Sequence, residues 1–292
     1  MAGGTVGQPQ VIETAAAMRA EVRRWQQAGE RVGVVPTMGA LHEGHLSLVH
    51  LAKKSCSKVV TTIFVNPTQF GPNEDFARYP RTLPEDLRLL ATAGCDYCFV
   101  PSKEEMYPTG FSTYVEAPAV GTRWEGECRP GHFRGVTTVV LKLLNMIPAD
   151  VACFGQKDYQ QAAVIRAMAR DLNLFSEIEI GPTIREADGL AMSSRNRYLS
   201  ASERQRALSI SQGLRQAQEM VRSGERRAAT IAGMLGETLQ PQVDSIDYVA
   251  IADGDTLEPV EQISANTVVL IAVRIGKTRL IDNCLVSQSQ LP

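Results

Sequence analysis

PTMGALHEGH, residues Pro36–His45, is the stretch that decides the fold of this 292-residue chain. The run that precedes it, Arg31–Val35, is short and rich in valine, as is typical of a buried strand. Apolar residues recur at helical spacing after it, at Leu46, Val49 and Ala52. The pattern therefore predicts a strand, a turn and a helix, with the motif at the start of the helix.

Two histidines stand at the start of this predicted helix. His42 and His45 are three residues apart and lie on one face of its first turn, where unpaired backbone N–H groups favour anions. The motif predicts a site for a nucleoside triphosphate, and the alternative is a pair of ordinary cap or surface histidines. A zinc protease is a further alternative, but its HExxH motif needs four-residue spacing, and only His50 and His132 remain as third ligands.

Length and charge limit the class of protein. With 292 residues the chain is long enough for one large or two modest domains. Its formal charge of −2 gives no basic excess, which argues against nucleic acid as a partner. Met1–Gln10 lacks the apolar core of a signal peptide, and apolar runs such as Val136–Leu144 are too short to span a membrane. We expect a soluble, cytoplasmic protein that binds small molecules and no membrane.

The six cysteines do not form a disulfide framework over this length. Cys95 and Cys98 have redox spacing but run into a predicted strand, where positions three apart face opposite sides. Cys128 and His132 can pair as ligands, yet nothing else in their loop completes a tetrahedral set. We therefore predict that all six cysteines are free thiols, that Cys95 and Cys98 are packed, and that the protein itself ligates no metal.

Helices and strands alternate through the first two thirds of the chain. The predicted elements are helix Glu13–Gln27, strand Arg31–Val35, helix Leu41–Ser55, strand Lys58–Val65, helix Leu83–Ala93, strand Asp96–Val100, helix Val136–Ile147, strand Val151–Phe154 and helix Tyr159–Leu172. Such alternation predicts an α/β fold, a Rossmann-like parallel sheet with helices on both faces. Ligands of this fold gather at the carboxyl ends of the strands.

A domain boundary is predicted near Gly181–Thr183. Beyond it, a capping box formed by Ser200 and Glu203 opens a long helix. The later elements are that helix to about Arg222, a helix Ala228–Leu239 and three β-rich runs, Ile246–Ala252, Thr267–Ile275 and Thr278–Cys284. We predict a Rossmann-like domain over residues 1–183 and a smaller C-terminal α+β domain with a short antiparallel sheet over residues 184–292.

Two polar motifs come directly after predicted strands. Phe64–Gly71 carries Asn and Gln amides, which donate and accept without the desolvation cost of a charge and suit a hydroxylated acid. The alternative is a simple turn. Gly155–Gln161 places Lys157 in a first helical turn, where a cation opposes the helix dipole unless an anion compensates both. The alternative is a solvated lysine, and Gln161, four residues later, shares its face.

Two further loops carry positive charge beside glycine or serine. Met192–Asn196 has two hydroxyls and a guanidinium that can close over phosphates, and Gly126–Gly135 is a cationic loop that can shield a site from water. The alternative is that both are surface connections. The chain has neither a GxxxxGK[ST] motif nor a GxGxxG after the first strand, which excludes a P-loop protein and argues against a dinucleotide dehydrogenase.

Four of these strings resemble the motifs of one family, in the same order along the chain. PTMGALHEGH, FVNPTQFG, FGQKDYQQ and READGLAMSSRN are similar to those of the pantoate–β-alanine ligases, or pantothenate synthetases, within the nucleotidyltransferase superfamily that has HIGH and KMSKS-type signatures. The match runs from about Val11 to Leu285. The resemblance implies an ATP- and pantoate-binding catalytic domain, a C-terminal lid domain and a homodimer.

The resemblance also implies a reaction. ATP and the pantoate carboxylate give an enzyme-bound pantoyl adenylate and pyrophosphate, and the amine of β-alanine then displaces AMP to give pantothenate. Mg²⁺ accompanies ATP and is bound mainly by ATP oxygens and water. The residues agree with this chemistry, because attack by an ionised carboxylate needs alignment and neutralised charge rather than a strong base.

Site residues follow from the same resemblance. The implied catalytic residues are His45 as proton donor, His42, Lys157 and Arg195. The implied ATP-binding residues are Met38, Gly39, Ala40, Leu41, His42, Glu43, Gly44, His45, Gly155, Gln156, Lys157, Asp158, Ile184, Met192, Ser193, Ser194 and Arg195. Gln69 and Gln161 hold pantoate, and Gln69 borders the β-alanine site. Gln156 and Ile184 stand where many members have glutamate and valine, and backbone contacts can serve at both places.

Two other functions stay open from the residues alone. One is an adenylyltransferase that passes AMP to a phosphorylated acceptor, and the other is a non-catalytic nucleotide sensor or a tRNA-binding relative. The near-neutral charge argues against tRNA. Neither function explains Gln69 and Gln161 as well as a ligase does.

Overall fold

Six strands form one parallel sheet in the computed structural model, which describes residues 7–72 and 74–286. The strands are β1 (Gln10–Ile12), β2 (Val32–Thr37), β3 (Lys58–Ile63), β4 (Tyr97–Phe99), β5 (Val151–Gly155) and β6 (Glu177–Gly181). They lie in the order β1-β4-β3-β2-β5-β6, and each neighbouring pair is parallel. The parallel sheet predicted from the alternating pattern is confirmed.

Helices cover both faces of this sheet. They are α1 (Ala15–Gln27), α2 (Glu43–Ala52), α3 (Leu83–Thr92), α4 (Lys103–Met106), α5 (Glu125–Cys128), α6 (His132–Met146) and α7 (Tyr159–Asp171). Because successive residues of a strand point to opposite faces, neighbouring valines of β2 join different apolar clusters. Val34 packs in the cluster of Trp25 from α1, and Val35 in the cluster of Leu46 from α2. The central strands are therefore apolar on both sides.

The rest of the chain builds a second, smaller sheet. Its elements are α8 (Ala201–Arg222), α9 (Ala228–Leu239), β7 (Ser245–Asp253), β8 (Thr267–Ile275) and β9 (Thr278–Leu285), and the strands are antiparallel in the order β7-β8-β9. The capping box of Ser200 and Glu203 is present at the start of α8. Helices α8 and α9 cover one face, while Trp124 and Tyr159 from the first part of the chain pack against the other.

The sequence patterns do not predict the two edge strands. β1 has three residues, too few for a periodic signal, and β6 alternates half-exposed Glu and Ile directly before the expected boundary. Helix α6 begins at His132, four residues before its predicted start at Val136, because Gly131 with φ 81° is its N-cap. The division between residues 183 and 184 stays a prediction, and residues 1–6 and 287–292 lie outside the described chain. Within residues 7–72 and 74–286, none of the helices has the length and apolar content to cross a bilayer.

A buried carboxylate fixes the turn that joins β2 to α2. Gly39 has φ 81° and Ala40 has φ 51°, a left-handed conformation that costs a non-glycine residue on the order of 1 kcal/mol. Asp86 of α3, which is 1% exposed, accepts hydrogen bonds from the N–H groups of Ala40 at 3.1 Å and Leu41 at 2.8 Å. The Thr82 hydroxyl donates to the same carboxylate at 3.2 Å. These bonds offset the strain and set where α2 begins.

Replacing Asp86 tests this account of the turn. Asp86→Asn keeps the shape of the side chain, but one oxygen becomes an amide that cannot accept from the turn. We expect the free energy of unfolding, measured in urea, to fall by about 2 kcal/mol because a buried N–H loses its partner. Glu85→Gln, at the neighbouring position in an exposed pair with Arg88, is the matched control and should cost under about 0.5 kcal/mol. Equal losses in the two variants would contradict the assignment.

Candidate active site

A cavity of about 380 Å³ lies at the carboxyl ends of β2 and β5 and beside the segment that follows β3. Motifs that are far apart in the sequence meet there because parallel strands end at one edge of the sheet. Most of the sequence-predicted residues line it, namely Met38, His42, Gly44, His45, Gln69, Gly155, Lys157, Asp158, Gln161, Ile184, Met192, Ser193, Ser194 and Arg195. The remaining predicted residues lie outside the cavity wall, namely Gly39, Ala40, Leu41, Glu43 and Gln156.

The two imidazoles cap helix α2. His42 is the N-cap, and its Nδ1 accepts a hydrogen bond from the Gly44 N–H at 3.2 Å. In return, Nδ1 of His45 accepts from the His42 N–H at 3.3 Å, and the ring centroids are 4.1 Å apart. A backbone N–H can only donate, so neither Nδ1 carries a proton. The backbone N–H groups of His42 and Gly44, which the sequence pattern predicted to be available to an anion, therefore donate to the imidazoles instead.

Both imidazoles are neutral at pH 7. Burial, with a smaller contribution from the Lys157 ammonium, lowers the pKa of His42 to about 4. Burial, together with the adjacent His42, lowers the pKa of His45 to about 3. Each neutral ring therefore carries its proton on Nε2, and within the described residues neither Nε2 has a hydrogen-bond partner. The pair offers the cavity two uncharged N–H donors.

Two carboxamides provide further polar groups. Asn66 orients Gln69, because its Nδ2 donates to Gln69 Oε1 at 3.0 Å while its Oδ1 accepts from the Tyr107 hydroxyl at 2.7 Å. Gln69 Nε2 is then left as a donor with no acceptor in the described part of the chain. Gln161 of α7 also lines the cavity, and its amide has no hydrogen-bond partner among residues 7–72 and 74–286. Both amides are available to a hydroxylated ligand.

Lys157 lies on a 3₁₀ turn, Gln156–Asp158, between β5 and α7. Its side chain is 21% exposed, and Nζ is 3.5 Å from Asp158 Oδ1. Burial favours a raised pKa for Asp158, but the charges of Lys157 and Arg195 outweigh burial and hold the pKa below its usual value. The turn therefore presents an ammonium and a carboxylate side by side. Asn283 of β9, which no sequence motif singled out, bonds to the backbone of this turn.

The segment Met192–Asn196, expected as a loop, is tied to its surroundings. A 3₁₀ helix begins at Ser194, whose hydroxyl donates to the Ala40 carbonyl at 2.9 Å, and Ser193 Oγ accepts from the Arg195 N–H. The guanidinium of Arg195 makes two bonds to Asp75, from Nε at 3.0 Å and from Nη2 at 2.9 Å. A phosphate that bound both of these guanidinium N–H groups would have to displace Asp75.

Sequence patterns also missed the partners of the cationic loop Gly126–Gly135. Arg129 makes two bonds to Glu74, at 2.7 and 2.6 Å, so the consecutive acids 74 and 75 each hold an arginine that lines the cavity. His132 bonds through Nδ1 to the Gln69 carbonyl at 2.9 Å and through Nε2 to Arg129 at 3.1 Å, which uses both ring nitrogens. Burial and the Arg129 charge lower its pKa to about 4. Such pairings join loops from distant parts of the chain, and no spacing in the sequence signals them.

The second sheet closes one side of the cavity through a buried carboxylate. Glu125, which is 6% exposed, accepts from Arg279 Nη1 of β9 and from the Tyr248 hydroxyl of β7, both at 2.9 Å. Burial and the negative charge of Glu125 raise the pKa of Tyr248, so this hydroxyl keeps its proton and donates. All three side chains line the cavity, which is therefore built from both parts of the chain.

Comparison with known proteins gives one family. The family model described as pantoate-beta-alanine ligase matches residues 10–285. The chain is 52% identical over 275 residues to a pantothenate synthetase of Moorella thermoacetica, covering 94% of this chain and 97% of the relative. It is 53% identical over 276 residues to a pantothenate synthetase of Herpetosiphon aurantiacus, covering 94% and 99%.

Solved structures agree with the sequence matches. The crystal structure of pantothenate synthetase from Thermus thermophilus has a TM-score of 0.90 at 44% identity, covering 96% of this chain and all of that one (100%). A pantoate-beta-alanine ligase from Francisella tularensis, complexed with beta-gamma ATP and beta-alanine, has a TM-score of 0.79 at 33% identity, covering 96% and 99%. The chain belongs to the pantoate–β-alanine ligase family.

Proposed function

We propose that this chain condenses (R)-pantoate with β-alanine in two steps, with ATP as the energy source and a pantoyl adenylate as the enzyme-bound intermediate. One observation carries the proposal. Two neutral histidines, Lys157, the Gln69 Nε2 donor and the Gln161 amide line a single cavity at the carboxyl ends of the parallel strands, and within residues 7–72 and 74–286 neither Gln69 Nε2 nor the Gln161 amide has a partner. Donors for phosphates and donors for a hydroxy acid are thus placed together.

The first step is attack of the pantoate carboxylate on the α-phosphorus of ATP. A carboxyl oxygen–phosphorus bond forms, the bond from the α-phosphorus to the bridging oxygen breaks, and that oxygen leaves with pyrophosphate. The nucleophile is already ionised, so the protein has to align it and neutralise charge that moves onto the leaving group. We assign this neutralisation to Lys157 and to the Nε2–H groups of His42 and His45. Arg195 contributes if the phosphates displace Asp75 from its guanidinium.

Recognition of pantoate falls to neutral groups. Gln69 Nε2 can donate to a carboxylate or hydroxyl oxygen, and the amide of Gln161 can both donate and accept. A neutral donor can orient the carboxylate without pairing it with a cation, so the oxygen that attacks keeps its negative charge. The bonds from Asn66 to Gln69 and to the Gly135 carbonyl fix the direction of the first of these donors.

The second step makes the amide. The unprotonated amine of β-alanine attacks the acyl carbon, the carbon–nitrogen bond forms, and the bond to the AMP oxygen breaks. The proton that the nitrogen loses passes to the departing phosphate of AMP. Water has to be excluded, because it would hydrolyse the adenylate. The segments that hold Arg129 and Arg195 form part of the cavity wall, and their bonds to Glu74 and Asp75 keep that wall in place.

Magnesium is the cofactor we propose with ATP. The described residues do not bring three His, Cys, Asp or Glu side chains together as a metal site, so the ATP oxygens and water are the principal ligands we expect. Asp158, with a pKa below its usual value, offers one carboxylate to the water shell of the ion. Mg²⁺ would neutralise part of the triphosphate charge. The homodimer and the cytoplasmic location stay predictions.

Release of pyrophosphate in the absence of β-alanine tests the two-step scheme. Incubation with ATP, Mg²⁺ and pantoate should release up to about one pyrophosphate per site in a burst, with the adenylate retained on the protein. Mass spectrometry of the complete reaction should then find pantothenate and AMP. Pyrophosphate release that strictly requires β-alanine would exclude the scheme. A dinucleotide-like product would indicate the adenylyltransferase instead, and ATP binding without pyrophosphate would indicate a sensor.

Two substitutions of His45 distinguish the role of Nδ1 in capping α2 from the role of Nε2–H as a donor to the phosphates. His45→Asn places an amide oxygen where Nδ1 accepts from the His42 N–H, so the cap stays and the Nε2–H is lost. We expect pyrophosphate release to slow about 100-fold, as for the loss of one preorganised donor. His45→Ala should be as slow but about 1 kcal/mol less stable in urea, because the cap is lost too. Near-normal rates in His45→Asn would show that Nε2 plays no part.

The two steps should differ in their dependence on pH. The pKa values of His42 and His45, about 4 and about 3, lie well below neutrality, so lowering the pH from 8 to about 5.5 leaves both donors unchanged. Pyrophosphate release without β-alanine should therefore stay level over that range. The amine of β-alanine has an ordinary pKa of about 10, so kcat/KM for β-alanine should rise as the pH increases from about 7 to about 9. A decline of pyrophosphate release near the ordinary histidine pKa of about 6.5 would contradict neutral, buried histidines.

A further inference from the structure

Asn283 of β9 reaches from the small sheet to the turn that carries Lys157. The residue is 2% exposed, and its Nδ2 donates to the carbonyl of Gln156 at 3.0 Å and to the carbonyl of Lys157 at 2.9 Å. Its Oδ1 accepts from Gln156 Nε2 at 3.4 Å. Because carbonyl oxygens can only accept, the orientation of the Asn283 amide is fixed.

The neighbouring residue anchors Asn283 in turn. The N–H of Asn283 donates to Asp282 Oδ1 at 2.8 Å, and the Asp282 carboxylate makes two bonds to Arg185, at 2.7 and 3.1 Å. The side chains of this ion pair are 4% and 3% exposed. Breaking such a buried pair is strongly unfavourable, so the position of Asn283 is held firmly.

The turn at Lys157 has few restraints of its own. Gln156–Asp158 is a single 3₁₀ turn, and Asp158, which is also the N-cap of α7, makes no side-chain capping bond. Lys157 also lies at the start of α7, where the helix dipole opposes a positive charge. Asn283 supplies a restraint from outside the turn, with two hydrogen bonds to the backbone on either side of Lys157.

We propose that Asn283 is a positioning residue, through which the small sheet holds Lys157 at the phosphates during adenylate formation. The inference rests on the proposed function and adds to it a contribution from the second sheet. Asn283 acts on Lys157 through the backbone. It should therefore influence the rate of pyrophosphate release and leave the recognition of pantoate by Gln69 and Gln161 unchanged.

Asn283→Asp is the sharpest single change. It keeps the size of the side chain but replaces the donor with an oxygen that faces two carbonyl oxygens. We expect the single-turnover rate constant for pyrophosphate release to fall about 10- to 100-fold, because a misplacement of about 1 Å has effects of this size. The KM for pantoate should change less than about twofold, since its binding groups are untouched. If Asn283→Asp does not fold, the same measurements are made on Asn283→Ser, which shortens the side chain and adds no charge.

Ser176→Ala is the matched control. Ser176 is 8% exposed, and its hydroxyl donates to the carbonyl of Ala149, so the variant loses one buried bond to a backbone carbonyl away from the cavity. Its pyrophosphate release should equal that of the wild type. A loss of rate in Asn283→Asp no larger than in Ser176→Ala would overturn the inference. Failure of the wild type to release pyrophosphate would overturn the proposed function instead.

A double-mutant cycle with Lys157 separates positioning from general damage. Lys157→Met removes the charge and keeps much of the length of the side chain. If Asn283 acts through Lys157, Asn283→Asp should reduce the rate less than about twofold further in the Lys157→Met background, measured by single-turnover pyrophosphate release. Full multiplication of the two effects would mean that Asn283 acts by another route, and the assignment would fail.

Discussion

The arrangement of the cavity depends on the turn that Asp86 holds. β2 is a central strand that ends at Thr37, and α2 begins at Glu43, only a few residues later. In this short connection Gly39 and Ala40 both adopt the left-handed conformation. A carboxylate from α3 makes this possible by accepting both N–H groups that the turn leaves unpaired. The carbonyl of Ala40 in the same turn accepts from Ser194. One small turn therefore sets the start of α2 and also holds the segment that begins at Ser194.

Charge in the cavity is balanced in a way that leaves the histidine Nε2–H groups without partners among the described residues. Two arginines are paired with carboxylates, Arg129 with Glu74 and Arg195 with Asp75. In contrast, His42 and His45 are neutral and use Nδ1 to cap α2. A polyanion at this end of the cavity would therefore first contact uncharged donors and the ammonium of Lys157. It could bind the Arg129 and Arg195 guanidinium groups fully only after displacing their carboxylate partners. Because exchanging one anionic partner for another costs less than exposing a buried charge, these pairs can open without leaving an arginine unpaired.

Sequence patterns predicted the central strands and most helices because those elements carry strong periods, and they gave α9 its observed bounds, Ala228–Leu239. They did not predict β6, whose half-exposed residues give a weak pattern beside a boundary signal. They also placed Lys157 and Gln161 correctly after β5, because a motif that directly follows a strand of a parallel sheet lies at the carboxyl edge of that sheet. Contacts such as that between Asn283 and the Lys157 turn join residues more than a hundred positions apart, and they depend on how two sheets pack rather than on any local spacing.

The capping arrangement explains why the motif reads His-x-x-His and not His-x-x-x-His. In a capping box, the N-cap side chain accepts from a backbone N–H of the first turn, and the side chain of the third helical residue accepts from the N-cap N–H. A side chain at the fourth helical residue points away from the N-cap. Moving the second imidazole by one place would therefore remove its cap bond and separate the two donors. The spacing follows from the stereochemistry of the first helical turn, and it leaves both imidazoles in the cavity wall.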